Sequence, residues 1–414
     1  MKTTAGARAE PAWSPWRTVV WFGVVSLAAD MVYEGARSIT GPYLAALGAS
    51  ALVVGVVTGA GEAAALVLRL VSGPFADRSG AYWPLTIVGY AMTAVCVPLM
   101  AVAPFLGAAG LAFGATMVLL ERTGKAVRSP SKSALLAHAA RSVGRGKGFA
   151  VHKALDQVGA FAGPLVVAGV IALTARTWAG LAVLAVPGAL AMVLLVVIRT
   201  RVPDMSVYDA PEPAVVLEPA APTVTPAAPP AARRLPREFH LFAVSCAAST
   251  LGLMTFGLIG FHLSDAGLVR PAMVPVVYAV AMAVEAVSAL VTGLAYDRVG
   301  ARVLLVLPFL VALVPLLALA DTLGVAIAGV LVWGAAVGVQ DSTVKALVAD
   351  LVPSARLATA YGVFAAFQGA AALAGGLLAG ALYSGGRADL VLVLGACQAL
   401  SLGLLVVVLR RRSG

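Results

Sequence analysis

Gly73-Pro74-Phe75-Ala76-Asp77-Arg78-Ser79-Gly80-Ala81 reappears 220 residues on as Gly293-Leu294-Ala295-Tyr296-Asp297-Arg298-Val299-Gly300-Ala301. At the same offset Glu121-Arg122-Thr123-Gly124-Lys125 meets Asp341-Ser342-Thr343-Val344-Lys345, sharing an acid-x-Thr-x-Lys pattern. Further on, Ala162-Gly163-Pro164-Leu165 matches Ala374-Gly375-Gly376-Leu377 at the smaller offset of 212. The chain is therefore two related halves. Repeats of this length in apolar sequence mark a membrane protein whose halves face one another across a central site.

Composition agrees. Of 414 residues, 61% are hydrophobic and only 12% charged, with a mean hydropathy of +0.96. A soluble domain carries about 25% charged residues. Ala51–Leu68, Leu85–Phe113 and Leu181–Ile198 are too long and too apolar for a soluble surface helix, and Val19–Ala29 begins another such run. A helix needs roughly 20 apolar residues to cross a bilayer, where no water satisfies backbone groups. The reading is an all-α membrane protein with twelve spans, near 17–46, 51–72, 82–102, 105–124, 149–174, 178–199, 239–262, 272–295, 302–319, 324–348, 357–383 and 389–409. Between the sixth and seventh, Thr200 to Glu238 holds nine of the chain's 24 prolines. That composition reads as a semi-extended linker. It separates a six-helix half (1–199) from a second (239–414), with the linker at 200–238.

Lys and Arg set the orientation. With the amino terminus inside, the outward loops keep only Arg176, Arg270 and Arg387. The fourth-to-fifth loop on the opposite side holds Lys125, Arg128, Lys132, Arg141, Arg145 and Lys147, Arg199 and the linker's Arg201, Arg233, Arg234 and Arg237 follow, and the tail ends Arg410-Arg411-Arg412. Positive charge resists translocation, so both termini and the linker are expected in the cytoplasm of a cell with this protein in its inner membrane. The same distribution explains the net charge of +10 without a nucleic-acid partner. Met1 to Pro15 shows no compact apolar region before a small-residue cleavage site, and the first span is expected to act as its own insertion signal. Cys96, Cys246 and Cys397 stand alone in apolar runs and read as small buried hydrophobes, neither disulfides nor metal ligands.

The two Gly-x-x-x-Asp-Arg-x-Gly loops, each between the second and third spans of its half, resemble the signature of the major facilitator superfamily. The resemblance covers the whole chain. It implies a transporter fold of two pseudo-symmetric six-helix halves that rock about a central site. The first loop departs from the family in having Ala81-Tyr82 where a basic pair is usual, whereas the second keeps Arg302. Ser26-Leu27-Ala28-Ala29-Asp30-Met31-Val32-Tyr33-Glu34 and Glu121 to Pro130 resemble, more narrowly, a bacterial branch of uncharacterised facilitator permeases, from which Lys132-Ser133 departs. As gate elements, Gly73 and Gly293 are expected to let helix ends approach. Asp77 and Asp297 are expected to accept from a helix amino terminus, and Arg78 and Arg298 to pair with acids across a cytoplasmic closure. A generic polar turn is the plainer reading of one such loop, though two at the repeat offset weigh against it.

Ionisable groups inside a membrane are costly, and so are default functional candidates. Asp30, Glu34 and Arg37 recur on one face of the first helix. The superfamily resemblance implies that this helix lines the cavity. A buried carboxylate suits proton exchange, while a structural Glu34–Arg37 pair is the bland alternative. Glu62 and Glu285 fall near mid-bilayer in the second and eighth spans. Asp156 lies shallower in the fifth, with a Lys153–Asp156 pair as its plainer reading, and the shorter offset carries it onto Gln368. Glu121, Arg122, Lys125, Asp341 and Lys345 are placed at the cytoplasmic ends of the fourth and tenth spans as gate or salt-bridge residues, and His262 at an outer rim. Gly159-x-x-x-Gly163-Pro164 partly resembles the antiporter motif of the superfamily and reads as a close-packing, bendable helix.

The expected function is secondary active transport of a small molecule by alternating access, proton-coupled and more in keeping with export. Uptake of a nutrient or organic anion is the alternative, and a non-transporting sensor a distant one. An intramembrane enzyme is disfavoured: there is no His-Glu-x-x-His, no paired Cys/His cluster and no phosphate-cradling loop, and Gly144-x-Gly146-x-Gly148 reads as a plain loop. The partners expected are the lipid bilayer, a small-molecule substrate and protons, with no cofactor or metal and a monomeric chain.

Overall fold

The computed structural model describes residues 13–209, 235–353 and 356–413, and among them there are helices and no strand. The first half comprises α1 (Pro15–Ala46), α2 (Ala51–Val67), α3 (Arg69–Ser79), α4 (Tyr82–Met100), α5 (Gly110–Val143), α6 (Arg145–Thr174), α7 (Thr177–Ala182) and α8 (Ala185–Arg201). The second comprises α9 (Arg237–Gly252), α10 (Phe256–Asp265), α11 (Val274–Val299), α12 (Val306–Ala318), α13 (Leu323–Leu351), α14 (Leu357–Gly385) and α15 (Arg387–Ser413). Among the described residues, ten stretches are long and apolar enough to cross a membrane. One of them, Pro271–Ala318, contains both α11 and α12 and is 48 residues long. The Gly110–Val143 helix is not among the ten.

Local chemistry sets the helix ends. Ser14 caps α1, its side chain accepting from the Arg17 amide at 3.3 Å, and Pro15 occupies the first turn, where a missing N–H costs nothing. At 32 residues, about 48 Å, α1 exceeds a bilayer core of about 30 Å. The repeated loops end in left-handed glycines, Gly80 at φ +63° and Gly300 at φ +66°. A residue with a Cβ is strained there, so the last glycine of each motif makes the turn. The first glycine does less than expected. A Cβ on Gly73 would meet Pro130 only at 3.8 Å, and one on Gly293 would meet Ser342 at 3.4 Å, both ordinary contacts.

Several expected boundaries shift. The second span breaks at Leu68 into α2 and α3, and the seventh is interrupted between Gly252 and Phe256. The fourth, expected over 105–124, runs as one helix to Val143. The expected glycine-rich loop reduces to Gly144 at φ +91°, since Gly146 and Gly148 already belong to α6. Ser206 to Asp209, the start of the proline-rich segment, packs onto the first half. Val202, Met205 and Tyr208 are buried with Trp13, Phe22 and Leu136. The Tyr208 hydroxyl lies 2.7 Å from that of Thr18 and donates to the Trp13 carbonyl at 2.8 Å. Burial lifts this phenol above its ordinary value. Asp209 holds His138 at 2.9 Å and Arg141 at 3.2 Å on α5. Residues 210–234 of the segment lie outside the described residues.

The start of α1 and the end of α15 lie at one end of the bundle: Tyr208 reaches Thr18 there, and Arg411 faces Glu238 at 3.8 Å. At the far end the halves touch backbone to backbone. A methyl group on Gly41 would overlap the Gly257 carbonyl, and one on Gly55 the Gly376 carbonyl. Thr58 and Thr255 hydrogen-bond between the halves at 2.8 Å. By contrast α5 and α13 have no extensive packing outside their own halves. The halves thus meet backbone to backbone at the far end, whereas α5 and α13 pack chiefly within their own halves.

Candidate functional site

The charges of α1, α2 and α5 converge at one depth. Arg37 lies nine residues before the end of α1, Glu62 eleven after the start of α2, and Arg122 twelve after the start of α5. At 1.5 Å per residue each is about 14–18 Å from the far end, half the thickness of a hydrocarbon core. Arg37 bridges Glu34 at 3.6 Å and Glu62 at 3.1 Å. Arg122 faces the same Glu62 oxygen at 3.7 Å and Glu121 at 3.7 Å, and donates to the Tyr33 hydroxyl. Its guanidinium also lies 4.4 Å from the Tyr33 ring centroid, and the Lys125 ammonium lies 3.4 Å from it. Both are cation–π contacts. Thr93 on α4 donates to Glu121 at 3.2 Å and accepts from Arg128, which stacks over Tyr90 at 4.7 Å. The second half closes the network, because the buried Tyr278 of α11 donates to Glu34. Removed from water, such charges persist only when each is paired.

This arrangement corrects one placement. Glu121, Arg122 and Lys125 are not at the end of their helix, which continues to Val143. Glu121 and Arg122 are only 4% and 6% exposed. Their positions, with Arg128 and Lys132, recur every three or four residues, a helical stripe turned inward where a loop was expected.

A second group lies nearer the termini. Asp30 and Asp156 meet within hydrogen-bond reach, and Lys125 acts on Asp30. Lys153 holds Asp156 at 3.0 Å. Ser26 contacts His152 at 2.9 Å, Tyr90 at 3.2 Å and Lys132 at 3.2 Å. The crossing of α1 and α6 that carries these groups is tight. A methyl group on Gly159 would strike the Leu27 carbonyl, and one on Gly163 that of Met31. Pro164 follows inside the same helix.

The wall from the second half is mostly neutral and aromatic. Phe256, Tyr278 and Trp333 cluster with centroids 4.5–6.2 Å apart, and the Trp333 indole donates to the Met254 carbonyl at 2.8 Å. Thr250 donates to Gln368 and accepts from Gln340 at 2.8 Å. Glu285 and Asp341 are its acids, with Arg37 and Lys153 acting on Glu285 from the first half. The Lys345 side chain lies outside what is described. His262, expected at a solvated rim, is buried between the Tyr383 hydroxyl at 2.9 Å and the Ala320 carbonyl at 3.3 Å, because α10 is packed against α1 and α2 with Phe261 and His262 against the Tyr383 ring.

The repeated loops sit at the terminal end with Asp77, Arg78, Asp297 and Arg298 exposed. Asp77 accepts from the hydroxyl of Tyr82, the first residue of α4, at 3.1 Å, rather than from helix amides. Arg78 and Arg298 make no ion pair among the described residues. A cavity of about 460 Å³ near Tyr43, Ala103, Arg176 and Trp178 lies at the far end, away from the charged network.

Tyr33, Thr93, Arg128, Tyr278 and Trp333 were not anticipated as site residues. The α5 stripe is the signal that finds Arg128. Tyr278 meets Glu34 from 244 residues away and leaves no local trace.

Two helical halves, joined at one end around buried charges at mid-depth, define a membrane transporter fold. The chain belongs to the Major Facilitator Superfamily, whose family model matches residues 22–293 and 269–414. It is 53% identical over 393 residues to "Uncharacterized protein Rv2265" of Mycobacterium tuberculosis (strain ATCC 25618 / H37Rv), covering 95% of this chain and 93% of that one. The same figures hold for "Uncharacterized protein Mb2288" of Mycobacterium bovis (strain ATCC BAA-935 / AF2122/97). Among solved structures, the nucleoside transporter NupG is similar at a TM-score of 0.66 and 14% identity, over 95% of this chain and 98% of that one. A bacterial homologue of the human lysosomal transporter Spinster, in an inward-facing and occupied conformation, gives 0.63 at 14% identity over 96% and 95%. A POT family transporter in complex with a thioalcohol-conjugated peptide gives 0.70 at 14% over 94% and 96%. At such identities these likenesses concern the fold alone.

Proposed function

We propose that the chain is a proton-coupled secondary transporter of twelve spans, exporting a small molecule by alternating access. The twelve passes are the ten apolar stretches, with α11 and α12 counted separately and the charged α5 added. Both termini are cytoplasmic on the distribution of Lys and Arg, so the state described is closed outside and opens its cleft inward. The chain acts as a monomer.

One observation carries the reading. Glu34 is held at once by Arg37 of its own half and by Tyr278 of the other. A group shared in this way couples its charge to the contact between halves. A proton arriving on Glu34 removes one of the two charges that hold Arg37, leaves that guanidinium on Glu62 alone, and weakens the acceptor of Tyr278. Asp30, Asp156, Glu62 and Glu285 supply further acids along the cleft. Asp341 and the exposed Asp77–Arg78 and Asp297–Arg298 loops are gate elements that meet when the inside closes. Export is favoured by the Gly159–Gly163–Pro164 helix, which partly resembles the antiporter motif of the superfamily and crosses α1 closely within the first half. Uptake of an organic anion is the second reading, favoured by two guanidinium groups, Arg37 and Arg122, in the central network.

The test is substrate-dependent proton flux. Proteoliposomes containing a pH-sensitive dye are challenged with a panel of organic cations, weak acids, nucleosides and short peptides. At least one compound is expected to shift the dye signal, and Glu34→Gln to abolish the shift. A transported compound whose flux ignores an imposed pH gradient overturns the coupling. Right-side-out and everted vesicles separate export from uptake.

A further inference from the structure

The repeat relation makes a prediction about chemistry when it is followed through the contacts. Adding 220 to Met31 gives Leu251, and adding 212 to Gly163 gives Gly375. The two crossings these residues make are the same: Gly163 lies against the Met31 backbone, and Gly375 against that of Leu251. The same offsets carry Asp30 to Thr250 and Asp156 to Gln368. These pairs also correspond, since Asp30 meets Asp156, and Thr250 donates to Gln368. One crossing geometry thus holds two carboxyls in the first half, and a hydroxyl and an amide in the second.

The two pairs differ in what the contact requires. A hydroxyl and an amide supply a donor and an acceptor in their ordinary states. Two carboxylates supply only acceptors, and can meet only if one proton lies between them. We propose that Asp30 and Asp156 form a single proton-holding site, two carboxyls sharing one proton, and that the first half alone has such a site at this crossing. The proposal rests on the proton-coupled reading above and names where a proton resides.

The surroundings fit loading and release. Lys153 sits 3.0 Å from Asp156 and is itself largely exposed. Lys125, over the Tyr33 ring, acts on Asp30. Glu34 lies one turn further along α1, and Glu285 and Asp341 face the group from α11 and α13. Lys132 and His152 meet at Ser26 below the pair. Release transfers the shared proton to water in the cleft and leaves two carboxylates, Asp156 on Lys153 and Asp30 on Lys125. Rebinding reverses both steps, with no other bond made or broken.

The second half supplies a neutral control, because Asp30→Thr with Asp156→Gln installs in the first crossing the pair that the second already carries. Purified transporter in detergent is titrated with acid and base while infrared difference spectra record the C=O stretch of protonated carboxyls. One titrating carboxyl band is expected in the native protein beyond those of its other Asp and Glu residues, and the loss of that band in Asp30→Asn, in Asp156→Asn and in the double Thr/Gln variant. The double variant is expected to keep a cooperative thermal transition close to that of the native protein. Survival of that band in either single Asn variant overturns the shared site, as does its loss in Glu285→Gln with both aspartates in place. The two readings fail separately: an intact pair signal in a protein whose transport ignores a pH gradient overturns coupling, and leaves the site.

Discussion

Arg122 shows what a single residue does in this network. It touches Glu62, Glu121 and Tyr33 from a side chain only 8% exposed. Truncation would leave the buried Glu121 with Thr93 but without its ion pair, and would leave Glu62 to Arg37; loss of one partner of a buried pair costs roughly 3–5 kcal/mol. Arg122→Ala is therefore expected to lower the thermal transition in detergent by several degrees more than Arg78→Ala, whose side chain is exposed and unpaired. Equal shifts for the two would show that the network is not a unit. Tyr278→Phe removes only the hydroxyl that reaches Glu34. It should leave stability within about 1.5 kcal/mol, the worth of one hydrogen bond, while changing the proton flux of the reconstituted protein. Unchanged flux would remove Tyr278 from the coupling path. At this scale the sequence was half legible. Asp30, Glu34, Arg37, Glu62 and Glu285 stand out as charges among apolar neighbours. Tyr33 and Tyr278 do not, because an aromatic in a membrane helix looks the same whether it packs against lipid or holds a carboxylate.

At the scale of elements, glycine decides where helices meet. Gly41, Gly55 and Gly59 on the first half face Gly257, Ala372 and Gly376 on the second, and added methyl groups would overlap backbone rather than mobile side-chain ends. Gly55→Leu is therefore expected to hold the far ends of α2 and α14 apart. A cysteine at Thr255 in an otherwise cysteine-free chain reports this, through several-fold faster labelling from outside intact cells than in the same background without Gly55→Leu. Labelling at the unaltered rate would show that the seal lies elsewhere. The repeated loops were legible as elements, with Gly80 and Gly300 making the turns. The extent of α5 was not, because a run of Lys and Arg after Gly124 looks like a loop when counted as charge and like a helix only when counted by period.

For the whole molecule, the apolar runs were enough to define an all-α membrane protein, and the described residues are helical with ten stretches able to cross a bilayer. What they could not give is the contact between halves, which joins residues some 200 positions apart and depends on the conformational state. Orientation remains the boldest sequence-based expectation. Short epitope tags at both ends should resist protease added to intact cells and be cleaved in everted vesicles; cleavage of either tag in intact cells would reverse the assignment. The docked segment that follows α8 has a practical side. A reporter domain spliced in at Val202 would sever Met205, Tyr208 and Asp209 from Trp13, Thr18, His138 and Arg141, whereas one spliced in after Asp209 leaves every one of those contacts in place. Fluorescent fusions at the later position should reach the membrane in good yield and those at the earlier one should not, so that the proline-rich stretch offers its insertion point ten residues later than its composition suggests.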